Sequence, residues 1–244
     1  MGYTAEVITL AIDTSEKRGS VAVRSDGRLA VVRRHTSDED YSSWLLPAVV
    51  ECLDEAGIRM EAVDLLAVST GPGSFTGVRV GLTTVKAWAE VYGKKVVGVS
   101  RLEAMARCAE PGAASVAACY DAQRGQMFAA LYRRAEGGWE PVEAEVVIED
   151  GNFLKMASEQ AGRERIAWVS LDPEMITSLE GWQGRAMVGD TMQRLEGDLA
   201  DKIGEIAEGR AGKGQFTDPL ELDANYVRRS DAEIFWKGPA GHGR

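Results

Sequence analysis

The chain has 244 residues, enough for one large or two smaller α/β units, and 45% of them are hydrophobic, which excludes general disorder. A net charge of -10 argues against gripping a nucleic-acid backbone unaided, because phosphate binding needs clustered Lys and Arg. No apolar run reaches the roughly 18 residues that span a bilayer. The first apolar stretch has no basic region before it and is broken by Asp13, so neither a membrane anchor nor a signal peptide is expected, and the expected location is the cytoplasm.

In chain order, Val7–Ile12 reads as a strand ending at Asp13, followed by strands Ser20–Arg24 and Leu29–Arg33 across the turn signal Asp26-Gly27. Trp44–Ala56 is predicted as a helix stopped by Gly57, with Pro47 in its first turn. Leu65–Ser69 is a buried strand, Ser74–Tyr92 a long helix ended by Gly93, Val96–Val99 another strand and Leu102–Ala109 a short helix. After Pro111-Gly112 the rhythm restarts. Strands are expected at Ser115–Tyr120, Gln126–Tyr132, Val142–Ile148, Ile166–Val169 and Arg185–Val188, with helices at Asn152–Gln160 and Met192–Ala207 and a polar connector over 209–218. The two series suggest a duplication. The pattern points to a two-lobed actin-like ATPase fold (acetate and sugar kinase-like), each lobe a mixed sheet flanked by helices. The expected division is a lobe over 1–110, a second over 111–230 and a flexible tail over 231–244.

The densest motif is Gly71-Pro72-Gly73-Ser74-Phe75-Thr76-Gly77, between a strand and a helix. Its glycines permit positive φ and close backbone approach. Ser74 can cap the helix, whose free N–H groups favour an anion. It lacks the Lys of a phosphate loop and is one residue off the dinucleotide fingerprint, so a structural turn and a ligand contact both stay open. Behind it, the stripes Val78, Leu82, Val85, Ala89, Tyr92 and Gly77, Gly81, Thr84, Trp88, Val91 are together broader than one sheet-facing side requires. The helix Trp44–Ala56 is similarly broad, with Leu45, Val49, Cys52 and Ala56 beside Leu46, Val50 and Leu53, and with Trp44 and Ala48 left over. Either both helices are buried in a large core or they meet another subunit.

Asp13-Thr14-Ser15 has the form of a phosphate-contacting turn, with Asp13 able to hold a hydrated magnesium ion. Asp121-Ala122-Gln123 is its counterpart, but Gln123 stands where glycine is wanted, and Val188-Gly189-Asp190 offers one glycine where an adenosine site wants a pair. The machinery reads as a degenerate nucleotide or anion site formed by Asp13, Thr14, Ser15, Gly73, Ser74 and Asp121. The acidic run Asp38-Glu39-Asp40 reads as a solvated loop, and His35 and His242 as surface residues. Cys52, Cys108 and Cys119 fall at no metal or disulfide spacing, and no metal centre is expected.

Ile12-Asp13-Thr14-Ser15, Leu45-Leu46-Pro47, Gly71 through Gly81, Val97-Gly98-Val99-Ser100, Asp121 through Gly125, Phe128 through Tyr132 and Asn225 through Arg229 together resemble the bacterial TsaB (YeaZ) family of tRNA threonylcarbamoyladenosine biosynthesis proteins. The resemblance is dense over residues 8–132 and thin over 133–220. It implies a non-catalytic paralogue of the transferase TsaD, with no catalytic residues of its own. It also implies docking to TsaD through the N-terminal helices, the ATPase TsaE joining, a homodimer when alone, and tRNA contact only through the complex. No cofactor is required, although residual weak ATP or ADP binding fits the fold. Where TsaD carries its metal-binding His pair, the matching positions are Arg101 and Met105. The expected partner interface is Trp44, Leu45, Ala48, Gly77, Gly81, Thr84 and Trp88. Tyr41 departs from a His common in the family, and Gln123 from a basic residue. The rival reading is an actin-like small-molecule kinase or ATPase using the Asp13 and Asp121 turns.

Overall fold

In the computed structural model, residues 7–35, 39–136 and 138–227 are described. Asp26 and Gly27 take φ of 48° and 73°, the left-handed pair of a tight hairpin turn, and join β2 (Ser20–Ser25) to β3 (Arg28–Arg34). β1 (Ile8–Asp13) pairs antiparallel with β2 and parallel with β4 (Leu65–Ser69), which pairs in parallel with β5 (Lys95–Val99). β1 and β4 are central, so both of their faces are covered, which is why each reads as an unbroken apolar run. The order of this sheet is β3-β2-β1-β4-β5.

The second sheet repeats the plan. β6 (Ser115–Asp121) is central, antiparallel to β7 (Gln126–Ala135) and parallel to β10 (Ile166–Ser170), beyond which lies β11 (Thr191–Arg194). Its order is β11-β10-β6-β7-β8, where β8 is Gly138–Pro141, and β9 (Val146–Glu149) also pairs with β7. Two mixed sheets of matching order, each flanked by helices, form the two-lobed actin-like fold expected from the sequence.

The helices divide the core into three. α1 (Tyr41–Ala56) and α2 (Phe75–Tyr92) cover the outer face of the first sheet through Leu45, Val49, Val78, Leu82 and Val85. α4 (Asp150–Ala161) covers the second sheet around Phe153 and Trp168, with short α5 (Glu174–Thr177) and α6 (Trp182–Val188) beside it. Between the sheets lie α3 (Arg101–Ala106), packed on β6 and β7, and α7 (Ala200–Ala211), packed on β1, β2, β4 and β5. The element closing each half therefore buries itself against the other half. Arg24 on β2 secures α7 by pairing with Asp201 and, at 3.0 Å, with Glu208.

Several expectations need correction. α1 begins three residues earlier than predicted, so Pro47 lies inside it; Pro47 and Ser43 are both exposed, which leaves the Ser43 carbonyl, deprived of its helical partner, open to water. Arg185–Val188 is helix rather than strand. Met187 and Val188 point to solvent, while Arg185 turns inward onto Asp190 at 2.8 Å. The predicted helix Met192–Ala207 is split, its first residues forming β11. Of the strand expected at Val142–Ile148 only Val146–Ile148 is strand, within β9; Val142–Glu145 is a bend, and β8, just before it, was not expected. His35 is buried rather than at the surface, its Nδ1 2.8 Å from the Lys17 carbonyl oxygen and its Nε2 2.7 Å from that of Glu39. Asp38, Arg228, Arg229, His242 and the tail over 231–244 lie outside the described residues.

Asp190 accepts bonds from Ile166 N, Trp168 Nε1 and the Arg185 guanidinium, all within 2.9 Å. Asp190→Ala leaves a buried guanidinium without its anion and is expected to cost about 3–5 kcal/mol, read from the urea midpoint.

Candidate functional site

The end of β1 and the glycine turn fold onto each other. Asp13 Oδ1 accepts the Ser15 backbone N–H at 3.0 Å and the Ser15 hydroxyl at 2.6 Å, and that hydroxyl also lies 2.6 Å from Ser69 Oγ. Thr14 Oγ1 donates to the Gly77 carbonyl at 2.7 Å, and Ser74 N donates to the Ser15 carbonyl at 2.7 Å. A Cβ at Gly73 would collide with the Ser15 carbonyl, one at Gly77 with the Thr14 carbonyl, and one at Gly81 would sit 2.6 Å from Thr14 Oγ1. Gly77 and Gly81, one helical turn apart, therefore admit the chain's own strand end rather than another subunit's backbone. Ser74 caps α2, accepting from Gly77 N at 3.4 Å.

Asp13 is fully buried and its other oxygen is taken by Arg101, whose Nη1 lies 2.5 Å from Oδ2. Arg101 is also fully buried, over the Tyr120 ring at 5.3 Å. Burial alone would lower its pKa, but the Asp13 charge together with Tyr120, Glu16 and Tyr41 outweighs that and raises it, so the side chain is a permanent cation. The magnesium that the fold family implies at Asp13 does not fit here, because a guanidinium fills the position. Among the described residues no group of three or more His, Cys, Asp or Glu could hold a metal ion. Burial also pushes the Cys52 and Cys108 thiols up to about 11 and that of Cys119 to about 12, which removes them as nucleophiles.

Beyond Asp13 a cleft of about 730 Å³ opens between the lobes, walled by Glu16, Gly73, Phe75, Asp121, Phe128 and Tyr226. Asp121 does not reach Asp13; its carboxylate accepts the Gln123 backbone N–H at 2.7 Å and the Gln123 side-chain amide at 2.8 Å. Gln123 and Arg124 take φ of 67° and 63°, so the glycine preference at this turn is a backbone requirement that Gln123 meets under strain. Glu145 joins three parts of the chain, accepting from Ser100, from Tyr132 at 2.8 Å and, at 2.5 Å, from Asn225 of the cleft wall. The space persists, but Thr14, Ser15 and Asp13 are spent on internal bonds, and the kinase reading loses its phosphate and metal groups with them.

A second feature lies on the outer face of the first lobe. A groove of about 530 Å³ runs between α1 and α2, lined by Tyr41, Leu46, Phe75, Arg79, Val80 and Thr84 among others. Leu46 is 52% exposed, Val50 57% and Phe75 42%. Of the residues expected at a partner interface, Trp44, Thr84 and Trp88 are half-buried, whereas Leu45, Ala48, Gly77 and Gly81 are buried in the chain's own packing. Leu46 and Val50, four apart on the second stripe that the sequence shows in α1, are the exposed ones, out of phase with the inward Leu45, Val49 and Cys52, and neither they nor Phe75 is among the expected interface residues.

A family model described as tRNA N6-adenosine threonylcarbamoyltransferase, TsaD, matches residues 34–170, more than half of the chain. The tRNA threonylcarbamoyladenosine biosynthesis protein TsaB of Escherichia coli K12 is 34% identical over 202 residues, covering 81% of this chain and 79% of that protein. The chain belongs to the TsaB family. The TsaB protein of Bacillus subtilis is 27% identical over 93% of this chain and 96% of its own. Among solved structures, YeaZ from Pseudomonas aeruginosa superposes with a TM-score of 0.68 at 26% identity, over 90% of this chain and 99% of that one. At the positions that the resemblance matches to the TsaD histidines, this TsaB-family chain buries Arg101 and Met105 completely.

Two outcomes follow from this geometry. Gly77→Ala forces a methyl group against the Thr14 carbonyl and is expected to cost about 1–3 kcal/mol, read by thermal unfolding. For Glu16, burial pushes the carboxyl up, but the Arg18 N–H and the charges of Arg101 and Arg18 outweigh it and hold the group below 4.5. Its contribution is therefore full above that value and lost as pH falls through the lower folded one. Glu16→Gln should lose less stability than the wild type between about pH 5 and 3, measured by urea titration at each pH.

Proposed function

We propose that this TsaB-family chain is a non-catalytic subunit of the complex that makes threonylcarbamoyladenosine beside the anticodon of tRNA, and that it docks to the catalytic transferase TsaD through the outer face of α1 and α2. The observation that carries this reading is the contrast between two surfaces. The cleft has turned its polar groups inward, while on the outer side of α1 and α2 Leu46 and Val50 are exposed and Phe75, under the Arg79 guanidinium, is exposed beside them at the groove. Exposed apolar side chains on neighbouring helices mark an interaction site.

Docking two helices of a partner along the groove gives the helix-to-helix contact that a standard interface of about 1,200–2,000 Å² requires. Trp44, Thr84 and Trp88 flank the exposed residues and complete the face. Leu45, Ala48, Gly77 and Gly81 act behind it, fixing where the helices lie. Alone, the same face pairs with its own copy. TsaE joins the assembly through the heterodimer, and tRNA is held by the complex, in keeping with a charge of -10 on this chain. No cofactor is needed for this role, and any ATP or ADP binding in the cleft is weak. The protein works in the cytoplasm; among the described residues no helix is long and apolar enough to cross a membrane. The docking lobe is residues 1–110, the second lobe 111–230.

The test is a pair of surface charges. Leu46→Glu and Val50→Glu lie on the exposed side, so each should leave the thermal midpoint nearly unchanged. Each is expected to weaken binding to the TsaD partner by about 30-fold or more in calorimetry and to shift the free protein to monomer in sedimentation equilibrium. Undiminished co-elution of both variants with TsaD would refute the assignment.

A further inference from the structure

The guanidinium of Arg101 lies in a cradle made of oxygen. Asp13 Oδ2 is 2.5 Å from Nη1, the Gly197 carbonyl oxygen is 3.4 Å from Nη2, and Glu16 Oε2 is 4.0 Å from Nη2. Two carboxylates and a carbonyl around one buried centre form the donor set of a hard divalent cation, which binds through oxygen. A guanidinium is a poorer match: it brings five N–H donors in a fixed fork, and here Nε is buried with no partner. The acceptors suit a compact charge better than they suit the side chain that supplies it.

We propose that Arg101 is the resident cation of a divalent-metal site, a covalently attached substitute that makes the site permanent. It joins Asp13, the last residue of the first strand, and Glu16, just beyond it, to Gly197 and Tyr120 of the second half. The two lobes are thereby held together with no ion or nucleotide to load or release. Removing the guanidinium should uncover the site, whose ligands are Asp13, Glu16 and the Gly197 carbonyl and whose ion is magnesium or manganese.

The experiment uses the full chain and Mn²⁺ alone, with free Mn²⁺ read by its paramagnetic resonance signal near neutral pH. Arg101→Ala and Arg101→Gln are each expected to bind one Mn²⁺ at least tenfold more tightly than the wild type. At ten times the dissociation constant, Mn²⁺ should raise their thermal midpoint by about 4 °C. The double variants with Asp13→Asn should lose both effects. Folded single variants that bind no Mn²⁺, or that bind it equally well with Asp13 replaced, overturn the proposal. If neither single variant folds unaided, Mn²⁺ present during refolding from urea must increase the folded yield, and an unchanged yield overturns it too.

Discussion

The close approach of α2 to the end of β1 is the constraint on which the rest of the molecule depends. Gly73, Gly77 and Gly81 are spaced four apart, and a Cβ at any of them would strike the backbone or hydroxyl of Ser15 or Thr14. That contact sets the height and rotation of α2 on its sheet. Once the rotation is set, Val78, Leu82, Val85 and Ala89 must face inward and Phe75, Arg79 and Thr83 outward. The same contact spends the polar groups of the Asp13-Thr14-Ser15 turn. One packing decision therefore closes the phosphate end of the cleft and builds one wall of the outer groove.

The buried pair of Arg101 and Asp13 is a different kind of constraint. Two ions withdrawn from water recover in mutual attraction roughly what they lose in hydration, so such a pair adds little to stability compared with apolar residues of the same volume. Its effect lies in what it forbids. Either charge left alone in the interior is costly, so α3 cannot drift from the end of β1 and the segment around Gly197 cannot withdraw from both. The interlobe cleft keeps its width while Asp13 stays paired with Arg101. Glu145 adds to this, since its carboxylate gathers Ser100, Tyr132 and Asn225 from three separate parts of the chain.

Much of the fold was legible in the sequence because it is carried by local rules. Apolar runs of five or six residues became central parallel strands, Asp26-Gly27 became a hairpin, and Gly57 and Gly93 ended their helices with φ of 66° and 62°. The failures share a cause as well. In α1 the periodicity gives two adjoining stripes, Leu45-Val49-Cys52 and Leu46-Val50-Leu53, without saying which faces the sheet; the structure buries Leu45 and Ala48 and exposes Leu46 and Val50. Arg185–Val188 looked like a buried strand because three of its four residues are apolar, yet these face water, and the buried member is the arginine, held by an aspartate five residues later. Likewise His35 had no visible partners in sequence because its partners are backbone carbonyls. Ion pairs and carbonyl contacts of this type leave no periodic trace.

The same limit explains why the glycine motif was ambiguous. Its spacing specifies close approach but not what approaches, and a phosphate, a partner helix and the chain's own strand all satisfy it. What decides among them is whether the donors at the turn are already used. Several of them are: Ser74 N is bonded to Ser15, Gly77 N to Ser74 Oγ and the Thr14 hydroxyl to Gly77. A ligand that used these groups would have to displace the internal bonds they already make, with little net gain in hydrogen bonding. On the exposed side of the same helices Leu46 and Val50 meet only water, and covering such apolar surface is favourable. The motif thus fixes from beneath the helix that forms one wall of the outer groove.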